Sequence, residues 1–332
     1  MNALRKPATL IPLVLFVLLL AWPAAASEYL THMSVLILLW AYLSTAWNML
    51  GGYAGQHSLG HSLFLGIGAY ASTTLYIKWD VTPWLGMWAG AALATLAGAF
   101  VGYLCFRYGL KGPYFALTTI ALAEAAVYVV SNITALGGAR GLEVPWLGHN
   151  PGVMQFRSKA GYYYIILVMT ALAILVTQWY NRRRYGYQLV AVRENEDAAE
   201  ALGVNTLRIK IQATAISALM TALGGTFYAQ YFTYIGPKSV FGEGPAVQIL
   251  LFAIIGGLGT VWGPAIGALV LVPIAEIARA ELGGSFAGAH LLLYGAILIL
   301  VMLFMPKGIV GLAQSVYTRL RRRNTVIEEA PQ

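Results

Sequence analysis

Ten apolar segments, at 9–26, 30–50, 62–77, 84–106, 113–131, 161–181, 209–232, 246–259, 261–279 and 289–305, occupy most of this 332-residue chain. About 20 mostly apolar residues suffice for a helix to cross the hydrocarbon core of a bilayer. In lipid, each backbone N–H and C=O has to be satisfied within the protein, and a helix does this by itself. The pattern predicts an all-α, polytopic integral membrane protein of about ten transmembrane helices. Residues 1–320 read as one transmembrane domain and 321–332 as a disordered tail of mixed charge. Segments 62–77, 246–259 and 261–279 are short or interrupted by glycine, so they read as short, broken or re-entrant spans. Composition agrees: 10% of residues are charged, against about 25% in soluble domains. A lone Cys105 excludes an internal disulfide and a cysteine-built metal site.

The first 27 residues have two readings. Arg5 and Lys6 precede an apolar run that ends in Ala24-Ala25-Ala26-Ser27, as in a cleaved signal peptide. A first transmembrane helix is preferred, because the rest of the chain spans the membrane anyway. Lys and Arg then set the orientation. With the N-terminus inside and ten crossings, only Lys78, Arg140, Arg157, Lys159, Lys238 and Arg279 fall outside, and the other 15 of the 21 basic residues fall inside. A shift by one span inverts the bias. Topology therefore accounts for the net charge of +8, and no nucleic-acid partner is needed. Both termini and the segment 182–210 are expected in the cytoplasm.

That segment is the one long polar stretch and holds ten of the 34 charged residues. Within it, 195–203 reads as a short capped helix. Asn195 is a good N-cap, and Glu196 and Asp197 fall where the helix dipole favours acids. Gly203 suits the left-handed position that ends a helix. Two turns alone are marginal. Packing is required, and Ala198, Ala201 and Leu202 share a small apolar face.

Asp197-Ala198-Ala199-x-x-x-Gly203 resembles the acidic-Ala-Ala-x3-Gly loop of ABC importer permeases. The stretch 55–70, Gly-Gln-His-Ser-Leu-Gly-His-Ser-Leu-Phe-Leu-Gly-Ile-Gly-Ala-Tyr, resembles a signature of branched-chain amino acid ABC permeases of the LivM type. So do Gly112 to Thr119, Val192-Arg193-Glu194-Asn195, Gly256 to Pro264 and Met305 to Gly311, and these matches run in family order over most of the chain. Two departures bear on the substrate. The family commonly has Thr-Gly-Gly where this chain has Leu136-Gly137-Gly138, and an aliphatic residue where it has His57.

The resemblance implies a permease domain that works with a second, homologous permease subunit in a heterodimer. It also implies two ATP-binding cassette subunits, a periplasmic solute-binding protein and a bacterial inner-membrane location. Arg193, Glu194, Glu196, Asp197, Ala198, Ala199, Glu200 and Gly203 become the candidate ATPase-coupling residues. The substrates implied are branched-chain or other hydrophobic amino acids. Urea or another small neutral solute is the alternative, and a stand-alone secondary transporter is a further one.

Other constellations add a candidate path. Gln56, Ser58 and His61 lie where glycines break a span. Such breaks are tolerated in membranes only against protein or a watery path. Glu124 is an ionisable group in mid-span, a functional position by default, with a structural hydrogen bond to a neighbouring helix as the competing reading. His57 and His61 would share a helix face, but no third ligand is evident, so no metal is expected. No cofactor is expected either: the chain has no Gly-x4-Gly-Lys-[Ser/Thr] loop, so ATP chemistry belongs to a partner. Gly259, Gly263 and Gly267 read as close helix packing. Leu50-Gly51-Gly52 and Leu223-Gly224-Gly225 hint at two related halves. Arg321, Arg322 and Arg323 suggest an anchor to membrane lipid.

Overall fold

The computed structural model describes residues 19–282, 295, 296, 299 and 308–312. Helix α1, Glu28–Asn48, is capped by Ser27 and runs on into a π-turn, Met49–Tyr53. A non-helical stretch, 54–60, leads into α2, His61–Trp79. Helices α3, Pro83–Arg107, and α4, Pro113–Asn132, each begin with proline, whose missing N–H costs nothing in a first turn. After a loop containing β1, Leu142–Glu143, come α5, Lys159–Asn181, then α6, Arg184–Glu194, and α7, Glu196–Ala201. Helix α8, Thr206–Phe232, is followed by β2, Tyr234–Ile235, then α9, Pro237–Phe241, α10, Glu243–Gly256, and α11, Gly263–Leu282. Strands β1 and β2 pair antiparallel and tie the long loop to the end of α8.

The burial pattern is that of a fold with an apolar solvent. Helix α3 exposes Leu85, Trp88, Leu96 and Phe100, and α5 exposes Val168, Leu172, Leu175 and Trp179. The interior holds Ser44, Thr45, Asn48, Thr214, Ser217, Thr221 and Gln230 among its apolar side chains. Small and polar residues at helix interfaces with large apolar ones outside is the arrangement lipid favours. Helices α2 and α8 meet closely: a Cβ on Gly68 would lie 2.0 Å from the Ala222 carbonyl, and one on Gly225 2.1 Å from that of Leu65.

Five described helical stretches are long and apolar enough to cross a membrane: Glu28–Tyr53, Pro83–Arg107, Pro113–Asn132, Lys159–Asn181 and Pro237–Gly256. Helices α2 and α8 are long enough but too polar by the same measure, and they sit inside the bundle. Eight of the ten apolar segments coincide with described helices. Of segment 9–26, residues 19–25 are helical. The remainder of that segment, 289–305 and the tail at 321–332 lie outside the described residues. Segment 62–77 is not broken: α2 passes through Gly66 and Gly68 without interruption, and the break lies ahead of it, at 54–60. The two Leu-Gly-Gly sequences are not equivalent. Gly51 and Gly52 belong to the π-turn, whereas Gly224 and Gly225 lie within α8 and serve its packing. Gly263 and Gly267 do serve close approach, since a Cβ on Gly267 would lie 1.9 Å from the Phe252 carbonyl of α10.

Candidate functional site

The short helix α7 is built as its sequence demands. Asn195 Oδ1 accepts from the Ala198 N–H at 3.0 Å, Glu196 and Asp197 occupy the first turn, and Gly203 takes φ +83°, a conformation costly for any residue with a Cβ. The face that packs is not the apolar one expected. Ala199, 2% exposed, faces the protein, while Ala198 and Ala201 are exposed and Leu202 is 85% exposed. What holds α7 is charge. Glu196 pairs with Lys210 of α8 and with Lys111, 3.1 Å away in the α3–α4 connection. Lys210 is 2% exposed, and its ammonium also lies 4.8 Å from the Phe106 ring centre. Glu200 accepts a hydrogen bond from Thr206 at the start of α8.

Burial pushes the Glu196 pKa upward, but the hydrogen bonds and charges of Lys210 and Lys111 outweigh it and hold the carboxyl below its ordinary value. The same contact with Glu196 raises the pKa of Lys111. Glu196 is thus an ionised clamp between α7, α8 and the α3–α4 turn.

Arg193, on the last turn of α6, reaches a second set of elements. Its Nη1 donates to the Gly52 carbonyl at 3.0 Å, and its Nη2 pairs with Glu194 at 2.7 Å. The side chain crosses Gly55 and Gly259, where an added Cβ would lie 2.6 and 2.8 Å from it. Asn48 joins the same elements. Its amide donates to the Thr260 carbonyl, and its oxygen accepts from the Gly259 N–H, both at 2.9 Å. The segments 48–60, 107–112, 193–210 and 257–260 therefore meet at one end of the bundle. Asp197 is exposed on its rim.

From this end, the non-helical stretch 54–60 runs into the interior. Trp47 Nε1 donates to the Ser58 carbonyl at 2.7 Å. The Leu59 N–H donates to Thr119 Oγ1 of α4 at 3.0 Å. Gln56 and Ser58 are buried; Gln56 Oε1 lacks a hydrogen-bond partner among the described residues, and Ser58 Oγ accepts from the Gly60 N–H at 3.3 Å. His61 is fully buried, with Nε2 2.7 Å from Ser217 Oγ. Ser217 donates its single proton to the Ala46 carbonyl at 2.6 Å, so it has to accept from His61. The proton therefore sits on His61 Nε2, which leaves Nδ1 a buried acceptor with no partner among the described residues. Glu124 lies five residues beyond Thr119, about 7.5 Å along α4. It is half-buried, and its carboxylate makes no hydrogen bond or ion pair among the described residues, so the competing reading of a bond to a neighbouring helix finds no partner there. Nor do His57 and His61 share a helix face: His57 lies in the non-helical stretch and is exposed. Among the described residues no group of three His, Cys, Asp or Glu converges on a metal-sized site.

Reading the sequence missed Asn48, Thr119 and Ser217. Each is a polar residue inside an apolar run, and that was the available signal. In the sequence, Lys111 is one positive charge among many.

A helical bundle with polar side chains inside and large apolar ones outside belongs to the class of multi-pass membrane proteins. Residues 29–302 match the family described as the branched-chain amino acid transport system / permease component, and the chain belongs to that family. It is a permease component of a transport system and not an enzyme. It is 26% identical over 323 residues to the high-affinity branched-chain amino acid transport system permease protein LivM of Escherichia coli K12, covering 90% of this chain and 74% of that protein. It is 27% identical over 287 residues to the permease protein LivH of the same strain, covering 82% and 91%. It is 25% identical to the probable LivM of Methanocaldococcus jannaschii, covering 83% and 92%. No solved structure gives a significant match.

Proposed function

We propose that this chain is the membrane-spanning permease subunit of an ATP-driven, binding-protein-dependent importer of branched-chain or other hydrophobic amino acids. The observation that carries the reading is α7. It is anchored underneath by Glu196 and Ala199 and presents Asp197, Ala198, Ala201 and Leu202 outward. An apolar, acid-edged helix end held rigidly at the charged end of a bundle suits docking to a soluble ATP-binding subunit. Relatives named LivM and LivH both align over most of this chain, which supports a heterodimer of two homologous permeases. Two ATP-binding subunits and a periplasmic solute-binding protein complete the assembly.

Closure of the ATP-binding pair moves α7. Glu196 carries the motion to α8 and the α3–α4 turn, and Arg193 carries it to the π-turn and the 257–260 turn. These elements border the stretch 54–60, so Gln56, Ser58, His61 and Glu124 are the path-lining residues of this reading. Coupling of this kind needs a two-state element biased from both sites. The topology has ten spans in the inner membrane with both termini cytoplasmic.

Uptake by the assembled complex tests the reading. It should survive collapse of ion gradients and fail on ATP depletion; the reverse result favours a secondary transporter. A thermal-shift panel on the cognate binding protein should select leucine, isoleucine or valine, and selection of urea instead overturns the substrate assignment.

A further inference from the structure

An open cleft of about 360 Å³ lies between the charged-end halves of α5 and α8 and the start of α6, lined by Trp179, Tyr180, Tyr185, Gln212, Ala215 and Ile216. None of these takes part in the coupling network or the path. The exposed stripe of α5, Val168–Leu172–Leu175–Trp179, ends in a tryptophan, the residue that marks the membrane–water boundary. Beyond it stand Arg182, Arg183 and Arg184, all exposed. None of the three pairs with a carboxylate among the described residues. The Arg183 guanidinium lies 5.5 Å from the Trp179 ring centre, which holds it over the cleft wall. On α8, the exposed Arg208 shares a helix face with the lining residues Gln212, Ala215 and Ile216 at i+4, i+7 and i+8.

We propose that this cleft binds an anionic phospholipid of the cytoplasmic leaflet. Its apolar floor opens on the lipid-facing side of α5 and descends from the interface, which fits an acyl chain over Ala215 and Ile216. Arg183, held over Trp179 of the cleft wall, and its exposed neighbours Arg182 and Arg184 supply cations without counter-ions among the described residues, which fit a phosphodiester. A free phosphate would leave the apolar floor unfilled. An acidic protein surface would not enter a cleft whose long side faces hydrocarbon. Basic residues at the edge of a membrane helix favour anionic headgroups. The inference rests on the membrane placement of α5 and α8 and is independent of which solute is carried.

The test uses the full-length chain in nanodiscs of one part phosphatidylglycerol to three parts phosphatidylcholine, followed by mild extraction and native mass spectrometry of retained lipid. Phosphatidylglycerol should be enriched roughly fivefold over the bulk ratio. The enrichment should fall to the bulk ratio in Arg183→Gln/Arg184→Gln, whose positions are exposed and tolerate the change. It should fall likewise in Ala215→Trp, which fills the floor, while Arg140→Gln at the opposite end leaves it unchanged. No enrichment in the parent chain, or equal enrichment in the arginine double variant, overturns the proposal. So does a double variant that keeps its lipid but no longer retains the ATP-binding subunits, since the arginines then serve a protein partner.

Discussion

Arg193 and Gly52, 141 positions apart, are joined by a 3.0 Å hydrogen bond from Nη1 to the backbone carbonyl. The bond sets the last turn of α6, two residues before the α7 cap, directly on the π-turn that closes α1. The side chain reaches it by crossing Gly55 and Gly259, where any larger residue would collide with it. A planar guanidinium can lie in so thin a gap and still present several donors. A lysine ammonium is a compact point charge and cannot do both.

Arg193→Ala should therefore uncouple the assembly without unfolding it. A hydrogen bond from a charged group contributes about 1.5–3 kcal/mol, so solute-stimulated ATPase activity of the reconstituted complex should fall by about tenfold or more. Arg193→Lys should rescue little of it. Full stimulation in the alanine variant would dismiss the strut.

The Glu196–Lys210 pair should respond asymmetrically. Glu196→Gln strands a buried ammonium, and breaking a buried pair costs about 3–5 kcal/mol. Hydrogen exchange across 195–203 should accelerate accordingly. Glu196→Gln with Lys210→Met removes both charges and should recover most of the protection. Lys111→Ala, at an exposed position, should change it by less than about 1 kcal/mol. A double variant as labile as the single one would contradict this account.

The outward face of α7 is separable from its anchor. Leu202→Asp and Asp197→Arg alter exposed side chains that make no hydrogen bond or ion pair among the described residues, so both should insert and fold normally yet fail to co-purify with the ATP-binding subunits. Gly203→Pro should also fail, because φ +83° is closed to proline. Normal stimulated ATPase activity in these three variants would remove α7 from the coupling role.

Ser217→Ala should leave the His61 Nε2–H buried without an acceptor. The cost expected is about 1–3 kcal/mol, read as a lowered thermal midpoint in detergent. Ser217→Asn, which retains an acceptor, should cost less; an alanine variant as stable as the parent would show that the His61–Ser217 contact does not stabilise the bundle.

The clamp also sets a pH window. The folded-state pKa of Glu196 is depressed, so its contribution is present above the ordinary carboxylate range, about 4.3, and is lost as pH falls through the lower folded value. Lys111 is raised, so its contribution holds below about 10.4 and is lost above the raised value. A nitroxide at position 202 should show constant mobility between about pH 5 and 9 and a rise as acid protonates Glu196 below the ordinary carboxylate range, about 4.3. The same acid response in Glu196→Gln as in the parent chain would mean that the charges do not hold α7.

Most of the architecture was legible in the chain because lipid imposes a one-dimensional rule: a span needs a run of apolar residues, whatever it packs against. The ends of α1, α3, α4 and α5 fall within a few residues of the apolar segments, and the Asn195 cap and the Gly203 turn are local chemistry that sequence states directly. The rule weakened for α2 and α8, whose polarity is paid back by burial between other helices. The site was less legible because its parts are distant in the chain. Nothing near Arg193 announces Gly52, and nothing near Asn48 announces Gly259 and Thr260. The apolar face of α7 was visible in sequence, but whether it faced the protein or the solvent depended on where Lys111 and Lys210 stood. The sequence by itself determined the apolar runs that became described helices and the Asn195 and Gly203 ends of α7, because each follows from interactions among neighbours or with the solvent; it placed the glycine break in 62–77, one element too late. Only the tertiary structure decided that the break, the clamp and the Arg193 strut form one connected end, because that depends on hydrogen bonds and ion pairs closed over long chain separations.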